Sequence, residues 1–185
     1  SGFMHRDQKT QGFFYLDHRT VDGKHNLIMD THITPGNIND SQPYIARLDA
    51  TLDKFKLTPL VVGLDAGYFI APVAHLLEAR QIAGVFGYRR PVRTKNIFKK
   101  KHFSYDVDTD TYTCPNGEML IYKTTSRQGY REYHSPAQIC LNCVLRSHCT
   151  QSKNHKKVIT RHVLQDSMDR ANDRRLSSWG KKIYK

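Results

Sequence analysis

The first half of the chain shows two short runs of strand-forming residues. Residues 12–16 and 25–33 are rich in apolar and β-branched side chains, which predicts two strands. The segment between them, residues 21–24, contains Asp-Gly and favours a tight hairpin turn. A Thr-Pro-Gly-Asn sequence at residues 34–37 then ends the second strand.

The next segment has the period of an amphipathic helix. Asp40 or Ser41 is placed to cap this helix, and Pro43 suits its first turn. Apolar residues three and four positions apart form its inward face, namely Tyr44, Ile45, Leu48, Leu52 and Phe55.

Three further elements complete a predicted α/β unit. Residues 57–64 form a short apolar run, which predicts a strand buried on both faces. Residues 70–82 predict a second helix, and residues 83–88 predict another strand. The inward face of the second helix is expected to carry Val73, Leu76, Leu77 and Ile82.

Asp65 directly follows the strand predicted at residues 57–64 and precedes an Ala-Gly-Tyr sequence. Ligand sites in open α/β sheets lie at the carboxyl ends of the strands, so a carboxylate at this position can hold a metal cation. An Asp after a strand also serves as the N-cap of the following helix. The two roles are compatible.

The composition changes after Pro91. Residues 92–160 are polar, basic and rich in turns, with short strands predicted at residues 111–114 and 119–122. We therefore predict three parts: an α/β portion at residues 1–91, a cysteine-containing β-rich insertion at residues 92–160, and a C-terminal segment at residues 161–185.

All four cysteines lie in this insertion. Cys140 and Cys143 have the spacing with which two thiolates hold one tetrahedral ion, and Cys114 and Cys149 complete a set of four sulfur ligands. A structural zinc ion would stabilise a segment that is too polar to form a large core.

Two alternatives to this zinc site stay open. The cysteines are ordinary reduced thiols, or a histidine replaces one sulfur ligand, for which His134, His148 and His155 are available. Disulfides are disfavoured because the sequence shows no secretion signal.

The net charge of +12 is unevenly distributed. Residues 1–91 carry 10 Lys and Arg against 9 Asp and Glu, whereas residues 92–185 carry 19 against 8. Basic clusters interleaved with aromatic residues are typical of proteins that bind nucleic acid. The residues predicted to contact DNA are Arg89, Arg90, Arg93, Lys95, Lys99, Lys100, Lys101, Lys156 and Lys157.

No run of the sequence approaches the roughly 20 apolar residues of a membrane helix. The first ten residues lack the apolar centre of a signal peptide. We therefore expect a soluble, cytoplasmic protein that does not bind membranes.

Several motifs together resemble the bacterial insertion-sequence transposases with a DDE catalytic core of ribonuclease-H-like fold. The matching motifs are GFFYLDHRTVD at residues 12–22, TPGN at 34–37, VGLDAGY at 62–68, GYRRP at 87–91, CLNCVLRSHCT at 140–150 and GKKIY at 180–184. The resemblance implies an incomplete ribonuclease-H-like mixed sheet with helices, interrupted by the cysteine-containing insertion.

The same resemblance implies a function. Asp65 corresponds to the second acidic residue of the DDE triad, whose three carboxylates hold two divalent ions, usually magnesium, for DNA strand cleavage and transfer. The partners implied are the ends of the insertion element and the target DNA, with a homodimer as an option for the complete enzyme.

The sequence also departs from the family pattern. The first Asp of the triad is expected upstream of residue 1, and the final Glu is expected beyond Tyr184, which resembles the Tyr of a Tyr-Arg-Glu signature. We therefore expect a truncated and inactive transposase fragment. The alternative is a non-catalytic, zinc-stabilised protein that binds nucleic acid and needs no acidic triad.

Other acidic residues are weaker candidates for catalysis. Asp17 and Asp30 lie on the early strands, where solvation, or pairing with Arg19 in the case of Asp17, is a sufficient explanation. The alternating acids Asp106, Asp108 and Asp110 lack the Gly and distal Glu of a calcium loop, so a polar turn is expected there.

Overall fold

The computed structural model of the chain describes residues 1–5, 10–88 and 96–184. The strands in these residues are β1 (Gly2–Met4), β2 (Gly12–Val21), β3 (Ile28–Pro35), β4 (Val61–Leu64), β5 (Ala83–Phe86), β6 (Ser104–Asp106), β7 (Thr111–Thr113), β8 (Met119–Thr125), β9 (Tyr130–His134) and β10 (Val158–His162). The helices are α1 (Ser41–Phe55), α2 (Ala71–Ala79), α3 (Ala137–Leu141), α4 (Arg146–Cys149), α5 (Gln165–Leu176) and α6 (Ser178–Ile183). The predicted mixed α/β class is confirmed.

The chain divides into two compact units. The first, here called the core unit, comprises Ser1–Arg89 together with Ser167–Lys185. The second, here called the cysteine unit, comprises Arg90–Asp166. The core unit is therefore built from two separate stretches of the sequence.

The core unit begins with an antiparallel sheet in the order β1-β2-β3. The predicted tight turn at residues 21–24 is wrong, because the loop runs from Asp22 to Leu27 before β3 begins. The Asp22 carboxylate accepts from the His25 amide at 2.6 Å, and Asn26 takes a positive φ of 57°. Asp22 thus stabilises a wider loop than the Asp-Gly sequence indicates.

Helix α1 follows the predicted face but not the predicted cap. Asp40 occupies the N-cap position without a side-chain capping bond. Instead, the Asn39 side chain accepts from the amide and the hydroxyl of Ser41, at 3.1 and 2.8 Å. On the inward face, Leu48 is buried with 3% of its surface exposed, but Phe55 in the last turn is 41% exposed, so the prediction is wrong at that residue.

Strands β4 and β5 pair in parallel, from Val61 with Ala83 to Leu64 with Phe86. A parallel pair needs a crossover connection, which α2 provides. The expectation that residues 57–64 are buried on both faces is wrong at the start of the run, where Leu60 is 84% exposed.

The hydrophobic core of this unit lies among α1, α2, α5 and the parallel strands. Its buried members are Leu48, Leu64, Val73, Ala74, Leu77, Ile82, Phe86 and Ala171. Leu76, which the helical period also placed inward, is 37% exposed. Ala171 shows that α5 is needed to close the core.

Helix α6 packs closely against the end of α5. The Ser177 hydroxyl caps α6 by accepting from the Gly180 amide at 3.0 Å. A Cβ on Gly180 would lie 2.1 Å from the Arg174 carbonyl oxygen, so only glycine allows this approach. Trp179 in this helix is 45% exposed.

The cysteine unit is an antiparallel meander in the order β10-β9-β8-β7-β6. Its core consists of Phe103, Tyr112, Leu120, Tyr133 and Ile159. Strand β8 is three residues longer than the segment predicted at residues 119–122.

The acidic turn at residues 106–110 was expected to be only a polar turn, but it also links two strands of this unit. Asp106 orders the turn by accepting from the Asp108 amide at 2.9 Å. Asp110 accepts from the hydroxyls of Tyr105 and Tyr133 at 2.7 and 2.6 Å and from Arg131 at 2.5 Å. A single carboxylate therefore links β6 to β9.

In the part of the chain described, no helix has the length and apolar character needed to cross a membrane.

Candidate catalytic, zinc and nucleic-acid sites

Asp65 lies at the carboxyl end of β4 with an exposed side chain. Its backbone is extended, at φ −65° and ψ 159°, and its Oδ1 accepts from the Ala66 amide at 2.9 Å. Asp65 therefore caps the short 3-10 helix Ala66–Tyr68. A carboxylate has two oxygens with several lone pairs, so this capping bond leaves capacity for a cation.

Tyr184, which follows α6, brings its hydroxyl close to the Asp65 carboxylate. Burial raises the pKa of Tyr184, and the negative charge of Asp65 raises it further. The ring passes over Gly87, directly after β5, where a Cβ would lie 2.2 Å from the hydroxyl oxygen. The ends of β4, β5 and α6 thus meet at this carboxylate.

A second carboxylate, that of Asp40, affects a tyrosine that Asp65 also affects. Burial raises the pKa of Tyr68, and the negative charges of Asp40 and Asp65 raise it further. The Tyr44 ring packs edge-on against Tyr68 with centroids 5.2 Å apart. Asp40 also lies 3.8 Å from His18. The sequence indicates Asp40 only as a candidate helix cap, because the order of residues does not show that Asp40 and Asp65 act on the same tyrosine.

The remaining early acids are engaged by arginines. Asp17 accepts from Arg19 at 2.8 Å, as the sequence indicated. Asp30 accepts from Arg47 at 2.9 Å, and these bonds lower the pKa of Asp30. Within residues 1–5, 10–88 and 96–184, no three His, Cys, Asp or Glu side chains are arranged to hold a metal ion. Asp65 therefore fits magnesium as a single hard oxygen ligand, not as part of a complete set.

The four cysteines come together in the cysteine unit. Cys114, Cys140, Cys143 and Cys149 are half-buried, and all of them line one cavity of about 20 Å³. None of the four is in a disulfide. Burial raises the pKa of the Cys149 thiol, and the three other cysteines act in the same direction. The sulfurs surround a common space without forming a ready coordination shell.

Two of the three histidines proposed as substitute ligands, His134 and His148, contact other groups. His134 Nε2 lies 3.1 Å from a Glu132 carboxylate oxygen. His148 Nδ1 lies 3.2 Å from the Asn96 carbonyl oxygen. The side chains that line the cavity include no histidine.

The predicted DNA contacts fall into three groups. Arg89, Arg90, Arg93 and Lys95 lie outside the described residues. Lys101 and Lys156 are exposed, whereas Lys99 and Lys100 are half-buried. Lys157 donates to the carbonyls of Phe98 and Cys149 at 3.0 and 2.9 Å, so its ammonium group is used inside the unit.

Comparison with known protein families finds a match in the second half of the chain. A family model described as the transposase DDE domain matches residues 113–185. Residues 113–185 are thus similar to the transposase DDE domain. The resemblance seen in the sequence is thereby confirmed for this part of the chain.

The transposase match includes all four cysteines and Tyr184. It does not include Asp65, whose assignment rests on its position beside Tyr184 and on the motif around it. No curated protein and no solved structure gives a significant match to the chain.

Proposed function

We propose that this chain takes part in DDE-type transposition, in which DNA strands are cut and rejoined with divalent metal ions. One observation carries the proposal. The exposed carboxylate of Asp65, at the end of β4, lies close to Tyr184, whose pKa its charge raises and which belongs to the segment that matches the transposase DDE domain.

The arrangement of the core unit supports a ribonuclease-H-like core. Three antiparallel strands precede α1. Strands β4 and β5 then form a parallel pair, which α2 connects. Asp65 follows the first strand of this parallel pair, where ligands bind in open α/β sheets.

Asp65 is the residue of this chain that would hold magnesium. A bound divalent ion supplies charge stabilisation at the phosphodiester and an activated water or DNA hydroxyl. The chain's own contribution is positional. The Ala66 amide fixes one carboxylate oxygen, the Tyr184 hydroxyl lies close to the carboxylate, and Gly87 leaves room for the tyrosine.

The test uses the natural polypeptide that contains this sequence. Its substrate is a plasmid that carries the ends of the insertion element. Nicking should require Mg²⁺ or Mn²⁺ and should fall to the metal-free level in Asp65→Asn. Asp53→Asn is the matched control, because Asp53 is exposed on α1 and pairs only locally with Lys56. Nicking by Asp65→Asn at the unaltered rate would refute the role of this carboxylate.

The second candidate is a non-catalytic nucleic-acid-binding protein. The excess of positive charge after residue 91 favours it, since Lys101 and Lys156 are exposed to solvent. This alternative predicts salt-sensitive DNA binding that Asp65→Asn leaves unchanged, together with no metal-dependent nicking by any variant. Gel shifts and nicking assays on the same preparations separate the two functions.

A further inference from the structure

We propose that Cys114, Cys140, Cys143 and Cys149 bind one structural zinc ion that fastens the α3–α4 segment to the turn between β7 and β8. This site is independent of DNA cleavage, and the proposal stands or fails separately from the proposed function. The first support is location. The four cysteines, which are all the cysteines of the chain, line the same cavity in the cysteine unit.

The size and lining of the cavity fit an ion better than an organic ligand. Its volume of about 20 Å³ has room for roughly one water-sized particle. Apolar side chains form much of the remaining wall, including Phe98, Leu120, Ile139 and Leu145. Sulfur is thus the main soft ligand available to a metal here.

The loop that carries Cys114 already has a shape suited to a thiolate ligand. The Gly117 amide donates to the Cys114 carbonyl at 2.9 Å, and Gly117 adopts a positive φ of 83°. This tight turn places the Asn116 amide 3.4 Å from the Cys114 sulfur, as its donor. The turn therefore holds the Cys114 sulfur in a defined position at the cavity.

The second pair of sulfurs comes from a similarly tight segment. The Cys143 amide donates to the Cys140 carbonyl at 3.3 Å, which brings these two residues together at the end of α3. The Cys140 thiol donates to the Ser135 hydroxyl at 3.2 Å. Cys149 closes α4 and packs with Cys114 against the aromatic core of the unit.

The position of Lys157 fits the charge of such a site. Four thiolates around a zinc ion carry a net charge of about −2, which is costly in a half-buried place without a cation. The Lys157 ammonium lines the cavity and donates to the Cys149 carbonyl at 2.9 Å. The positive charge of the half-buried Lys157 would offset the negative charge of the zinc ion and its four thiolates.

The α3–α4 segment also needs a tether. These helices have five and four residues, and neither contains a buried residue. Between them Val144 is 85% exposed. Helices this short do not persist without tertiary support, so a metal that joins them to the meander would supply the missing stabilisation.

The test is metal analysis of the full chain purified under reducing conditions and given zinc before exhaustive dialysis. We expect about one zinc per chain, the value for a closed four-ligand site. Cobalt substitution should give the intense visible bands of a tetrahedral thiolate site. Cys143→Ser should lose the bound metal, whereas His134→Ala and His148→Ala should retain it.

Three results would overturn the proposal. These are less than about 0.3 zinc per unaltered chain, retention of zinc by Cys143→Ser, or loss of zinc from the histidine variants. A red, iron-containing protein that takes up no zinc would assign the site to iron instead and would equally overturn it. Because Cys143→Ser can unfold the unit, chelation of the unaltered chain is the second measurement. Removal of zinc should lower the melting temperature, and readdition should restore it.

Discussion

The hydroxyl of Tyr184 lies so close to Gly87 that a Cβ at that position would be 2.2 Å from the hydroxyl oxygen. The same Cβ would lie 3.0 Å from the Ala66 amide nitrogen, so there is little room for movement on the other side. Glycine at position 87 therefore allows the tyrosine to reach Asp65.

Gly87→Ala should displace Tyr184 from Asp65 and lower the free energy of unfolding by about 1 kcal/mol through overpacking. The pKa of Tyr184 is raised by burial and by the Asp65 charge. It should therefore fall in Gly87→Ala and in Asp65→Asn, as measured by NMR titration of labelled tyrosine. Gly63→Ala is the control, because a Cβ there meets nothing within 4 Å. An unchanged titration in Gly87→Ala would contradict the close contact.

Glu78→Gln should weaken the connection between α2 and α5. Arg170 donates to Glu78 at 2.7 and 3.1 Å, and these bonds hold the pKa of Glu78 below its ordinary value of 4.5. Because Arg170 is largely exposed, we expect a loss of only about 0.5–1 kcal/mol at neutral pH.

The effect of Glu78→Gln should depend on pH with a definite sign. A carboxylate with a lowered pKa contributes its full stabilisation above its unfolded pKa and loses it as the pH falls through the folded value. The difference between Glu78→Gln and the unaltered chain should thus be constant above pH 4.5 and shrink in acid. Urea unfolding at several pH values measures this, and a difference that grows in acid would reverse our assignment.

Asp110→Asn should destabilise the cysteine unit by about 1–3 kcal/mol, since the charged acceptor of three donors is lost. Asparagine keeps the shape and tolerates the positive φ of 51° at this position, so backbone strain does not enter. Asp108→Asn, two residues away and exposed, should be nearly neutral. Thermal unfolding followed by tyrosine fluorescence compares the two, and equal effects would show that the Asp110 network contributes little.

Lys156 and Lys157 are neighbours with opposite expected behaviour. Lys156→Gln should weaken DNA binding and reduce the slope of log affinity against log salt by about 0.9, the value for one lost phosphate contact. Lys157→Gln should instead lower stability by about 1–3 kcal/mol, because its two carbonyl partners lose a charged donor. Gel shifts over a salt series and urea unfolding distinguish them, and the reverse pattern would exchange the two roles.

The local sequence pattern predicted the structure correctly where the spacing of apolar residues within one helix or strand determines which side chains are buried. Apart from Phe55, the inward face of α1 followed from residue spacing, and Leu48 is buried as expected. The parallel pair β4 and β5 followed from the alternation of apolar runs with a helix. The exposure of Leu60 did not follow from the apolar run. It depends on which residues pack beside the start of the run, and the sequence does not identify those residues.

The candidate site was predictable only in part for the same reason. Asp65 has a local signature, a carboxylate after an apolar run. The effects of its charge on Tyr68 and Tyr184 depend on long-range packing, which one sequence does not encode in a readable form. Lys157 looked like its exposed neighbour Lys156, yet alternation along the chain before β10 turns its side chain inward.

The division of the core unit into two stretches has a consequence for biosynthesis. Residues up to 89 leave the ribosome early, but Ala171, which is 1% exposed in the core, is made only after the whole cysteine unit. Domains tend to fold as they emerge, so the continuous cysteine unit can mature first. Until α5 has been made, the core that contains Leu77 and Phe86 is incomplete. During that time the nascent chain exposes an apolar surface that a chaperone would recognise.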